Sequence, residues 1–182
     1  MNKKTLSLTI GVIILAIAGY MTYMFFSTKP LSPVQSVTHS YNGLDMKVDY
    51  CSPSKRGRVI FGDSQDALVP YGKFWRLGAN EATEITFSKD VSIMGKPLKA
   101  GTYRMYAVPS DSSWEISFNS ELGKWGANTP DYTLDVLKVV APAEKGTAVT
   151  ESFTISFSND ASGVNMNLDW DTTRVRVAIA MN

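Results

Sequence analysis

The sequence predicts an all-β fold, an antiparallel β-sandwich with jelly-roll-like or barrel-like closure left open, preceded by one N-terminal transmembrane helix. Three observations carry this. Apolar and polar residues alternate with period two over many short stretches from residue 44 onward. Turn residues punctuate them closely, as in Gly95-Lys96-Pro97 and Lys99-Ala100-Gly101. Beyond the N-terminal apolar run, no stretch has the sustained 3.6 period of an amphipathic helix.

In Leu44-Asp-Met-Lys-Val-Asp-Tyr50, the apolar side chains point one way and Asp45, Lys47 and Asp49 the other, which is a strand with one wet face. The same reading applies to 83–87, 103–108, 114–118, 153–157, 165–170 and 174–179, with shorter candidates at 59–61, 91–94 and 135–140. Half-solvated strands in close succession belong to antiparallel sheets. A short helical or irregular element is expected over 66–77, where Pro70, Gly72 and Gly78 break a strand.

Leu6 to Phe26 carries no charge. At about 1.5 Å rise per residue it makes about 31 Å of helix, the thickness of a bilayer's hydrocarbon core. Tyr20, Tyr23, Phe25 and Phe26 gather at its far end, where aromatic rings favour the headgroup level. The run is longer than a signal-peptide core and lacks a small-x-small cleavage site. Lys3 and Lys4 place the N-terminus in the cytoplasm. The expected organisation is a cytoplasmic stub at 1–5, the helix at 6–26, a spacer at 27–36 and an extracytoplasmic domain at 37–182. That puts the chain in the inner membrane, with its domain on the periplasmic side.

The chain has 182 residues and a net charge of +1. Without Lys3 and Lys4 the basic residues number 16 against 17 acidic ones, so the domain has no field suited to nucleic acid. Cys51 is the single cysteine, so no intrachain disulfide forms, and its strand pattern buries it. His39 is the single histidine and lies near the spacer, a poor place for a catalytic base. One His and one Cys do not complete a zinc site. Asp169 and Asp171, flanking Trp170, form a weak candidate for calcium, and a solvated edge is the commoner meaning of such a pair. No motif asks for a cofactor.

The densest constellation is Tyr71-Gly-Lys-Phe-Trp-Arg-Leu-Gly-Ala-Asn-Glu81. One reading makes it a ligand cleft, with Trp75 stacking on a sugar or cation, Arg76 gripping an anion, and Asn80 and Glu81 supplying polar contacts. The other makes it a structural plug, with Trp75 in the core, Arg76 neutralised by Glu81, and Gly78 at a backbone angle open to glycine. Tyr71 and Arg58, the latter in the basic turn Lys55-Arg56-Gly57-Arg58, are structural candidates. Trp125, in a glycine-bearing loop with little strand to pack on, is a further binding candidate.

These segments, Ser52-Pro-Ser-Lys-Arg-Gly-Arg-Val-Ile-Phe-Gly62 and Trp75-Arg-Leu-Gly-Ala-Asn-Glu81, together with Leu98–Tyr106 and Val149–Phe157, resemble the DUF2911 domain. That is an uncharacterised family of secreted or envelope proteins found mainly in Bacteroidota, and the resemblance spans most of residues 45–180. It implies a β-rich extracytoplasmic module and no particular reaction. A retained helix departs from the family, whose members resemble cleaved secretory proteins. The favoured function is a membrane-anchored binding or assembly module with an envelope protein or glycan as partner. The alternative is an envelope enzyme acting on a saccharide or lipid through a carboxylate-containing cleft.

Overall fold

The structure, a computed structural model, describes residues 11–22, 31–63, 65–161 and 163–181. The chain divides into two units, Met1–Leu31 and Ser32–Asn182. In the first, residues 11–22 are helical, about 18 Å of helix. No described helix is long and apolar enough to cross a membrane, so the predicted span is not supported. Residues 1–10 and 23–30, which include the stub, both ends of that span and the start of the spacer, lie outside the described residues.

The second unit is mostly antiparallel sheet. Its strands are β1 (Val34–Tyr41), β2 (Leu44–Cys51), β3 (Phe61–Gly62), β4 (Val69–Pro70), β5 (Thr83–Phe87), β6 (Val91–Ile93), β7 (Lys96–Leu98), β8 (Gly101–Pro109), β9 (Ser113–Asn119), β10 (Asp135–Asp160) and β11 (Gly163–Met181). Nine of them form one sheet in the order β1-β2-β5-β8-β9-β10-β11-β6-β7, while β3 and β4 make a small parallel pair. The period-two pattern is borne out most cleanly in β2, where Leu44, Met46, Val48 and Tyr50 are buried and Asp45 and Lys47 exposed.

Two strands of the large sheet escaped the alternation. β1 begins at Val34, inside the predicted spacer, and pairs with β2 through a two-residue turn. Asn42 and Gly43 both take positive φ there, the Asn-Gly signature of a tight hairpin. Met94 and Gly95 repeat the device between β6 and β7. Lys96 and Pro97, read as turn, lie instead on an edge strand, where a missing N–H costs no ladder bond. The segment 66–77 is irregular apart from β4.

β10 is much longer than its two recognisable pieces because it serves two partners in succession. Asp135–Pro142 pairs with β9, and the chain from Ala143 to Asp160 pairs with β11, with register shifts around Thr150. The sheet also curls on itself. β2 and β10 lie four places apart in strand order, yet Ile155 N–H donates to the Tyr50 hydroxyl at 3.1 Å and Phe153 N–H to the Pro53 carbonyl at 2.9 Å. Inside the curl Trp75, Trp114, Trp170, Phe153 and Phe61 pack ring on ring at centroid distances of 5.0–6.0 Å. Such pairs contribute roughly 0.5–1.5 kcal/mol each beyond the area they bury.

Candidate functional site

The face of the sheet opposite this core carries a polar row. Asp49 of β2 stands beside Glu84 of β5, Glu84 beside Arg104 of β8, Arg104 beside Asn119 of β9, and Asn119 beside Asp135 of β10. Alternation alone sends all five to solvent. The chain from Glu121 to Asn128 instead folds back over the row and buries Arg104 to 1% exposure. The Arg104 guanidinium bonds Glu121 Oε2 at 3.0 Å and the Asn128 carbonyl at 2.6 Å, and Asn119 Oδ1 accepts from Glu121 N–H at 2.8 Å.

The same loop is tied to the Trp75–Glu81 segment by backbone. Gly126 N–H donates to the Asn80 carbonyl at 2.8 Å, and Ala82 N–H to the Lys124 carbonyl at 3.1 Å. A side chain at Gly126 would sit 2.7 Å from the Asn80 oxygen and 2.9 Å from the Glu81 oxygen, so the approach requires glycine. Glu84 Oε1 accepts from Gly123 N–H at 2.7 Å. The sequence's two Gly-Ala-Asn triplets, 78–80 and 126–128, are thereby docked side by side.

This docking leaves a cleft of about 490 Å³ whose walls include Val34, Tyr50, Cys51, Glu81, Glu84 and Trp125. Trp125 is 51% exposed, whereas the other three tryptophans are buried. Cys51 is buried as expected, yet on the cleft side of β2, and its thiol donates to Glu81 Oε2 at 3.2 Å. Burial pushes the thiol up from its ordinary value, and the Glu81 charge adds to that. Glu81 is held below the usual carboxylate range by its own backbone N–H and by the Cys51 thiol. The pair therefore rests as neutral thiol and ionised carboxylate.

The structure brings together two of the binding candidates, Glu81 and Trp125, which are bridge partners. Trp75 is not with them: it is 7% exposed and stacked on Trp170, as the plug reading requires. The other half of that reading is corrected. Arg76 forms no ion pair with Glu81; Glu81 is exposed and bonded to Cys51, and Arg76 Nε is buried without a hydrogen-bond partner. Arg104 and Glu121 make the buried ion pair instead. Asn80, at φ 53°, donates its side-chain amide to the Ser32 carbonyl at 3.4 Å.

Gly78 has φ 148°, and a Cβ there would meet the Cys51 carbonyl oxygen at 2.7 Å. Arg58 closes its turn by donating to the Ser54 and Lys55 carbonyls. The Tyr71 hydroxyl reaches Asp111 at 3.5 Å. Asp169 is taken by Arg174 and Asp171 by Lys55, both at 2.5 Å, so each carboxylate already has a cation. His39 is half-buried, stacked on Phe157 and within 2.7 Å of the Asn159 side-chain oxygen. Sequence reasoning missed Asp49, Cys51 and Glu84 as cleft residues. Their shared parity on neighbouring strands was the available signal, but the β2–β5 register was needed to use it.

A curled antiparallel domain with an aromatic- and carboxylate-lined cleft on its polar face is what the fold and the site define. The family model described as "Protein of unknown function (DUF2911)" matches residues 32–179, and the chain belongs to that family. No curated protein and no solved structure matches it.

Proposed function

We propose that this chain is a non-enzymatic binding module whose sandwich-like domain, displayed from a membrane outside the cytoplasm, takes a small ligand in the Trp125 cleft. The observation that carries the reading is a half-exposed indole on the wall of a cleft of about 490 Å³ that Glu81, its bridge partner, also lines. Clefts of roughly 300–1,000 Å³ suit small ligands. A large ring left in water on a loop pinned by backbone bonds is preorganised for stacking. Glycoside hydrolysis needs an acid carboxyl with a raised pKa as well as an ionised one, and Glu81, held below the usual carboxylate range, suits only the second role.

Trp125 gives its own readout. In the full chain, the indole N–H signals of the four tryptophans are followed by NMR against a panel of methyl glycosides, amines and short peptides. A true ligand moves the Trp125 signal and leaves the three buried ones in place, and Trp125→Ala weakens its binding by at least about tenfold. A panel that never moves Trp125, or a ligand held equally by the variant, overturns the reading.

Display from the inner membrane, with the domain outside, rests on the uncharged run Leu6–Phe26 and on Lys3 and Lys4 before it. The full chain is expected to stay with membranes through an alkaline carbonate wash and to keep its N-terminal residues. Release into the wash, or a mature chain starting between residues 20 and 35, removes the anchor from the proposal.

A further inference from the structure

We propose that the Trp125 cleft takes an organic ammonium group, a cation carried on a small apolar body. The proposal rests on the cleft being a binding site and adds the chemical class of its ligand.

The charged residues around the cleft are Asp49, Glu81, Glu84 and Lys124. Two of these already have an opposite charge beside them. Lys124 Nζ lies 3.3 Å from Glu121, and Asp49 lies 2.7 Å from Lys47 Nζ. Glu81 and Glu84 have no cation among the described residues. Arg104, beside Glu84 in register, is the nearest candidate by topology, but its guanidinium is committed to Glu121 and the Asn128 carbonyl. What Glu81 and Glu84 do accept comes from neutral donors, the Cys51 thiol and the Gly123 N–H, so neither has an ion-pair partner among the described residues.

Glu121 is shared by Arg104 and Lys124, so three carboxylates (Glu81, Glu84, Glu121) face two cations. The group carries a net −1, with two carboxylates outside any ion pair beside an exposed indole. The face of an indole attracts cations through its quadrupole and gives nothing to anions. The rest of the wall, Val34, Tyr50 and Ala82, offers carbon surface to methyl or methylene groups. A bare metal ion fits less well. It requires several converging oxygens, and no group of three His, Cys, Asp or Glu suited to a metal occurs among the described residues. An ammonium with carbon substituents uses the charge, the ring and the apolar wall at once.

The test compares choline chloride with its neutral isostere 3,3-dimethylbutan-1-ol and with methyl β-glucoside, each titrated into the full chain while the Trp125 indole signal is followed. Choline is expected to bind at least about tenfold more tightly than the alcohol and to weaken as salt is raised. In Glu81→Gln the choline-to-alcohol ratio is expected to fall severalfold. The wild-type comparison stands by itself if that variant folds poorly. Equal binding of choline and the alcohol, or a shift with the glucoside alone, overturns the ammonium and leaves the binding module standing. No shift at Trp125 with any of the three counts against the ammonium, and the wider panel described above then decides whether the cleft binds anything.

Discussion

Arg104→Met is expected to lower the stability of the full chain by about 3 kcal/mol, read as a shift of the midpoint in chemical unfolding. Losing one partner of a buried ion pair costs roughly 3–5 kcal/mol, because the other charge and its acceptors stay behind in low dielectric. Here the arginine side chain is 1% exposed but Glu121 is 21% exposed, so water recovers part of the loss and the lower end applies. Glu121 also keeps Lys124 at 3.3 Å. The Asn128 carbonyl, which accepts from Arg104 at 2.6 Å, loses its donor too. The effect should reach function as well, since this guanidinium holds down the loop that presents Trp125. Pairing the change with Glu121→Leu should recover more than about 1 kcal/mol, the mark of coupled neighbours. Additive losses below 1 kcal/mol would show that the loop docks without this pair.

Gly78→Ala is expected to be at least as damaging, roughly 3–5 kcal/mol in the same measurement. Two costs combine. A φ of 148° is a region that side chains rarely adopt, and forcing one there costs on the order of 1–3 kcal/mol. The new methyl also falls 2.7 Å from the Cys51 carbonyl oxygen, which is backbone. Relief requires moving Cys51 or the Trp75–Glu81 segment, and both border the cleft. Gly72→Ala is the control: its φ is 70° and nothing lies within 4 Å of the new carbon. It should cost only about 1 kcal/mol, the price of left-handed backbone alone. Equal costs at the two positions would show that the close approach at Gly78 is not what demands glycine.

The local pattern of residues was enough for the fold class and for several side-chain roles. Val48 and Ile85 are buried because period-two alternation follows from the strand's own geometry, whichever strand lies next to it. Gly78 was legible because a glycine amid larger residues marks a backbone constraint. Trp125 was legible because a loop between glycines gives a large ring little to pack against. β1 was overlooked although Asn42-Gly43 announced a hairpin, since none of its residues is fully buried and its alternation runs only between half-buried and exposed positions. Charge pairing was another matter. Proximity in sequence suggested Arg76 with Glu81, while the fold pairs Arg104 with Glu121 across a loop that no periodicity describes. The placement of Cys51 at the cleft, the exchange of partners along β10 and the two unpaired carboxylates all depend on strand register and on that loop's return over the sheet. Those are long-range contacts, and a residue's own neighbours in the chain hold no record of them.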